Sequence, residues 1–415
     1  MADTLAFADA VEVGCGIALP MTLKAMIELD VLEIMAAAGP GALLSPEEIA
    51  SKIQTSNPEA HEVLDRMLRF LATHKVVTCE VVVGEDDGKS KRRYGLGPVC
   101  KFFTKDENGV SLSPLLLMHH SKVTADAWAN IKHAVLDGSV PFVKANGMTI
   151  YEHEDKDPHF SELFNETMFN RTTMYMKKML ENYKGFESIN VLVDVGGGHG
   201  GILSIILSNY PHIKAINFDL PHVVSKAKTI QGVEFVGGDM FVSVPSGSDA
   251  IFMKEILHNW KDADCVKILK NYWKALPDNG KIVIIECVLP EISQNDNELK
   301  EIFLLDVIML TYTVGGKERT EKEYQLLAKA SGFSGLKIAC NQGRSSSPAV
   351  PSSTTMRSFI GVEETALEIQ LIKGGSERRV AQHYRLQHST KGEGENQITG
   401  CVGFFLATRA SFCGP

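Results

Sequence analysis

Val191-Leu192-Val193-Asp194-Val195-Gly196-Gly197-Gly198-His199-Gly200 is a β-branched apolar run that ends abruptly in glycines, followed by Ile202, Leu203, Ile206 and Leu207 at helical spacing. A buried parallel strand reads this way, and the glycines let its backbone turn tightly and approach a ligand. The helix that opens after Gly200 aims free N–H groups into the turn. Asp219 closes the next apolar run, Ala215-Ile216-Asn217-Phe218, where a carboxylate can grip ribose hydroxyls. The expectation is a nucleoside-bearing cofactor. Gly196, Gly198 and Gly201 also satisfy a dinucleotide fingerprint, so spacing alone leaves NAD open. Asp194 inside the strand, and the acidic turn Gly237-Gly238-Asp239-Met240 after a third apolar run, tilt the reading to S-adenosylmethionine, with Asp239 and Met240 holding and covering an adenine.

Working outward, 415 residues exceed a typical single core and imply two domains. A formal charge of −9 argues against nucleic acid or an anionic membrane surface as partner. The eight cysteines show no C-x-x-C and no metal-ligand spacing, as expected of small core residues in a reducing compartment. The first residues lack a basic, apolar leader, and the apolar run Phe303 to Leu310 is interrupted by Asp306. A cytoplasmic protein that does not span a membrane is the expectation.

Residues 1–105 are mostly helical in pattern. Leu19, Met21, Leu23, Met26, Ile27 and Leu29 are too densely apolar for a helix with one wet face, so deep core or a second subunit should cover them. Ser45-Pro46-Glu47-Glu48 is a capping box with proline at the first helical position. Two helices followed by β-rich runs at 76–83 and 93–96 outline a winged helix. Its would-be recognition helix, 58–75, balances Glu59, Glu62 and Asp65 against Arg66, Arg69 and Lys75, which disfavours DNA and favours a dimer-forming use. Residues 113–183 read as irregular helix rich in methionine and phenylalanine.

From Val191 the pattern alternates strand and helix, an α/β fold with a Rossmann-like doubly wound sheet. Strands are expected at 191–195, 215–218, 233–236, 250–254 and 281–286, with a helix at 262–276 and a second capping box, Thr320-Glu321-Lys322-Glu323, opening a helix to Ser331. Residues 342–355 are dominated by serine and proline, and 342–415 are expected to form an unstructured tail, with a modest apolar cluster at 398–408.

Ligands of an open α/β sheet bind beyond the carboxyl ends of its strands. His258, Glu286 and Glu318 all fall there. Methyl transfer from a sulfonium needs an in-line nucleophile and no metal, and a phenol is a poor nucleophile until deprotonated. Histidine titrates near neutrality and is a natural general base, while a carboxylate on its other ring nitrogen would fix the tautomer and stabilise the imidazolium.

Five stretches in order, 193–200, 217–223, 238–241, 257–260 and Gly315-Gly316-Lys317-Glu318-Arg319-Thr320, together resemble the plant small-molecule O-methyltransferases of the caffeic acid type, over roughly 14–341. The resemblance implies a homodimer built on a winged-helix dimerisation domain (1–105), a metal-independent catalytic domain (106–341) and a small phenolic substrate such as a phenylpropanoid or flavonoid. By position it places Gly196, Gly198, Asp219, Asp239, Met240 and Lys254 on S-adenosylmethionine. It makes His258 the base, flanked by Glu286 and Glu318, and lines the phenolic pocket with Met118, Phe160, Phe164, Met168 and Met309. Asn259, Arg171, Thr313 and His119 depart from the caffeic acid pattern, so the acceptor need not be caffeic acid. The family normally closes near residue 360 with a strand that pairs into the sheet. Here a Ser/Pro tract follows Asn341, as if the end were replaced, which should expose a sheet edge. N-methylation on the same scaffold, and a dimerising partner without activity, are the alternatives.

Overall fold

A computed structural model describes residues 2–83, 90–291, 297–340, 366–372 and 405–406. The chain divides into two units, Met1–Met174 and Tyr175–Pro415. The helices between 113 and 156 group with the first unit. One helix, Pro158–Asn182, runs across the division.

In the first unit, helices Ala18–Glu28, Val31–Ala37, Pro46–Ala50 and Ala60–Thr73 pack with an antiparallel hairpin, β1 (Val77–Val83) and β2 (Ser90–Leu96), in the register Val77 to Leu96. This is the winged-helix outline. The capping box at Ser45 forms, with Glu48 N–H donating to Ser45 Oγ and Ser45 N–H to the Glu48 carboxylate. Met26, Leu32, Ile49, Leu68, Leu71 and Tyr94 make the core. Phe7, Val13 and Ile17, on or beside the first helices, stay largely exposed. No single helix among the described residues is long and apolar enough to cross a membrane; Ala6–Gly14 with Ala18–Glu28 passes that test only as a pair bent by 49°.

The second unit is a twisted sheet. Its strands are β3 (Val191–Val195), β4 (Lys214–Asp219), β5 (Val233–Gly237), β6 (Ala250–Lys254), β7 (Lys281–Leu289), β8 (Arg319–Thr320), β9 (Gly335–Cys340), β10 (Ala366–Ile372) and β11 (Phe405–Leu406). Their order is β11-β9-β10-β7-β6-β3-β4-β5, with β8 paired to β7. β5, β4, β3, β6 and β7 are parallel, as crossover helices require. Alternate residues enter opposite faces. Val193, Ile251, Met253, Ile282 and Ile284 pack with helices Asp262–Ala275 and Glu321–Ala330, whereas Leu192, Phe252, Val283 and Ile285 pack with helix Gly201–Asn209 and Met176.

The largest difference from the sequence reading lies past residue 341. Ala366–Ile372, expected within an unstructured tail, is β10, antiparallel to both β7 and β9. Two residues of the 398–408 cluster, Phe405–Leu406, add an edge pair on β9. The sheet edge that the altered ending was expected to expose is therefore covered by β10. The other residues of 342–415, the Ser/Pro tract among them, lie outside the described residues.

Candidate active site

The glycine turn closes onto β4. Gly196 N–H donates to Phe218 O at 2.9 Å, Gly198 N–H to Asp219 Oδ2 at 2.8 Å, and Asn217 Nδ2 to Gly198 O at 2.9 Å. Gly196 and Gly198 sit at φ +74° and +55°, the left-handed region where a side chain strains the backbone. A Cβ on Gly197 would collide with Asn217 Oδ1 and lie 2.8 Å from Asp194 Oδ2. These two oxygens are buried, and neither has a hydrogen-bond partner among the described residues. Burial and the neighbouring Asp219 push the Asp194 carboxyl up to about 8, with Lys254 opposing. Leaving a buried acceptor unmet costs about 1–3 kcal/mol, so these two oxygens are expected to find a donor.

The remaining residues expected at the cofactor border the same strand ends. Gly238 N–H donates to Asp219 O at 2.9 Å, which brings the β5 turn against β4. Asp239 is exposed and accepts from Phe241 N–H at 2.8 Å. Met240 is half-buried; its carbonyl accepts from Asn271 Nδ2 at 2.9 Å. Lys254, at the end of β6, is buried, with Nζ 2.6 Å from Glu255 Oε2. A carboxylate at Asp219 that could take ribose hydroxyls, and Asp239 with Met240 to hold and cover an adenine, fit S-adenosylmethionine, a cationic nucleoside.

His258 lies on a single 3-10 turn, Leu257–Asn259, just past β6. Glu286 follows Ile282 and Ile284 on one face of β7, and Glu318 immediately precedes β8. The three side chains meet in the interior. His258 Nδ1 and Glu318 Oε1 are 2.8 Å apart, and Glu286 Oε2 is 3.7 Å from the same nitrogen. His258 is 8% exposed, Glu286 0% and Glu318 2%. Glu286 also serves the backbone: its Oε1 accepts from the N–H groups of Ile256 and Leu257 at 2.9 and 2.6 Å. Glu255, which opens the turn, is held at φ +54°, a strained conformation for a side-chain-bearing residue.

Burial alone would lower the imidazole's pKa, but Glu286, and then the hydrogen bond and charge of Glu318, overcome it and raise the pKa to about 9. Burial pushes Glu286 up to about 7, with His258 pulling it down and Glu318 pushing it further up. The donor atoms of the three lie within 4.8 Å of one another, close enough to share a proton and, by donor type alone, to accept a divalent cation.

The pocket residues fall in different parts of the chain. Met118 and Phe160 are buried in the first unit, and Phe160 packs at a tilt against Phe164 with a centroid distance of 6.1 Å. Met168, one turn on, is half-buried, as is Met309 in helix Asn297–Tyr312 of the second unit. Of the departures from the caffeic acid pattern, His119 is held down to about 4 by burial and by the positive charges of His120 and Arg171. Thr313 turns back on its own helix, donating to Met309 O at 2.7 Å.

Two residues that fix the trio were not singled out by sequence. Asp306, read only as a break in an apolar run, accepts from Glu318 N–H at 2.9 Å. Arg319, fully buried beside Glu318, clamps the turn that carries His258. The signal available for both was adjacency to Glu318 or to an apolar helix, which does not reveal a tertiary partner.

Comparisons with known proteins give the family and the fold. Residues 128–334 match the model of an O-methyltransferase domain, and residues 11–106 that of an O-methyltransferase dimerisation domain. A caffeic acid 3-O-methyltransferase of Rosa chinensis is 54% identical over 332 residues, 80% of this chain and 90% of the relative. One from Populus tremuloides is 53% identical over 340 residues, 82% and 93% of the two chains. O-methyltransferase 13 of Lophophora williamsii is 51% identical over 341 residues, covering 82% and 94%. Human N-acetylserotonin methyltransferase, solved with S-adenosylmethionine, shares the fold at a TM-score of 0.71 and 19% identity, over 89% of this chain and 98% of that one. CalO1, a methyltransferase of calicheamicin biosynthesis, does so at 0.68 and 24%, over 90% and 98%. With the glycine turn, the buried histidine and its two glutamates in place, these likenesses show that the chain belongs to the S-adenosylmethionine-dependent O-methyltransferases with an N-terminal dimerisation domain.

Proposed function

We propose that the protein methylates a phenolic hydroxyl of a small plant secondary metabolite, a phenylpropanoid, flavonoid or related phenol, with His258 as general base. The observation that carries this reading is the buried hydrogen bond between His258 Nδ1 and Glu318 Oε1, which fixes one ring nitrogen and leaves Nε2 as the group that meets an acceptor proton. When bound, S-adenosylmethionine supplies an electrophilic methyl carbon on a sulfonium. Gly196, Gly198, Asp219, Asp239, Met240 and Lys254 would hold it at the strand ends. His258 Nε2 takes the proton of the acceptor hydroxyl as the oxygen becomes a nucleophile. Glu318, and Glu286 behind it, stabilise the resulting imidazolium. Within the second unit, Met309 would border the ring. The relatives named for caffeic acid support a phenolic acceptor, and the dimerisation domain together with exposed Phe7, Val13 and Ile17 supports a homodimer.

Purified full-length protein, offered a panel of phenols and aromatic amines with the products identified, tests this directly. O-methylated phenol is the expected product. Methylation of the amines alone, or no turnover from a folded dimer, would favour an N-methyltransferase or an inactive partner.

A further inference from the structure

The guanidinium of Arg319 sits inside the protein with 0% exposure, yet among the described residues its hydrogen bonds go to no group assigned to cofactor or acceptor. Its donors go to the chain that carries His258. Nη1 donates to Leu257 O at 2.9 Å, the residue before the histidine, and Nη2 to Trp260 O at 2.7 Å, two residues after it. Nε donates to Asp262 Oδ1 at 2.9 Å, at the start of helix Asp262–Ala275. The backbone of Arg319 is pinned as well: it pairs with Val288 of β7, two residues beyond Glu286, and follows Glu318 directly. One residue therefore bonds both flanks of the 3-10 turn while its peptide neighbour presents the carboxylate that the histidine ring needs.

We propose that Arg319 is a positioning residue that sets the distance between the His258 ring and the Glu318 carboxylate by locking the Leu257–Trp260 turn to β8. This rests on His258 being the base. The chemistry calls for arginine in particular. A planar fork with five N–H donors can reach two carbonyls and a carboxylate at fixed angles, whereas a lysine ammonium at this site is a point donor on a flexible stem. The bond it guards is short-range. If the turn drifts by an ångström, the Nδ1–Oε1 separation of 2.8 Å leaves hydrogen-bonding range. His258 would then face Glu255 and Glu286 without its tautomer fixed. The cofactor turn at Gly196–Gly198, built from β3 and β4, receives none of Arg319's hydrogen bonds.

Arg319→Lys in the full chain tests the proposal, with kcat, the pH profile, the dissociation constant for S-adenosylmethionine and the thermal midpoint all measured. The expected result is a kcat lower by at least about tenfold, with cofactor affinity within about twofold of wild type and the rising limb of the pH profile moved towards the ordinary range of histidine. Arg319→Ala assayed with added guanidinium should recover part of the lost rate, which a general packing defect would not. His258→Gln is the control for the underlying reading. If that variant turns over normally, the base assignment falls, whatever Arg319 does. If it is inactive while Arg319→Lys keeps the wild-type kcat and pH limb, the positioning role alone is overturned. Loss of cofactor binding in step with kcat would also overturn it, by making Arg319 a residue of the fold.

Discussion

His258 carries a raised pKa because two buried carboxylates outweigh its own burial, and that sign has consequences for rate and stability. A general base must be neutral to act, so kcat/KM should climb with pH through about 9. Stability runs the other way. A group whose folded pKa lies above its unfolded value contributes fully below pH about 6.5, and that contribution is lost as pH rises through the folded pKa. Glu318→Gln removes the charge but keeps an acceptor. We expect it to shift the rising limb to lower pH and to cut the maximal rate about 10- to 100-fold, because the imidazolium formed in the reaction loses its counter-charge. A pH–rate profile of the variant beside wild type reads both effects; an unchanged limb would mean that Glu318 does not face the base. His258 was legible in sequence because it follows the strand at 250–254, Glu286 because it closes the apolar run from 281, and Glu318 because it falls just before a capping box. Arg319 and Asp306 were not, since their partners lie about 60 and 12 positions away in sequence, a tertiary matter that no local pattern records.

At the scale of elements, the glycine turn and the 255–262 turn do different work. The first is the proposed cofactor cradle, and Gly197 has little room: Asn217 Oδ1 and Asp194 Oδ2 occupy the space of a side chain. Gly197→Ala should weaken S-adenosylmethionine binding at least about tenfold while leaving the hairpin unit untouched, a result calorimetric titration would give directly; wild-type affinity would show that this cradle is not the cofactor site. The parallel strands were legible from their β-branched apolar runs, and β3 and β6 begin and end where expected. β7 was read as ending at Glu286 because a carboxylate looks like a strand end, but Cys287, Val288 and Leu289 continue it past the trio. β10 carried a usable signal. Leu367, Ile369 and Leu371 alternate with Glu368 and Gln370, a period of two that the surrounding polar composition obscured.

For the whole molecule, residues 366–372 and 405–406 of the unusual ending belong to the sheet of the second unit. Leu367 pairs with Glu286 in register, so β10 lies beside the segment of β7 that bears a member of the trio. Removing residues 342–415 would bare the facing edges of β7 and β9, with unpaired backbone groups on each. The truncated chain should melt well below the full chain, or aggregate, and lose turnover; thermal denaturation of both proteins checks this, and an equally stable, active truncation would show that β10 contributes nothing.

The central claim is that His258 removes the acceptor's proton. Its most direct test is single-turnover methyl transfer by His258→Gln on a phenol accepted by the wild-type protein, with S-adenosylmethionine affinity measured in parallel. The account predicts a rate lower by about 10²-fold or more with cofactor binding intact; a variant that transfers methyl within a few-fold of the wild-type rate would contradict it.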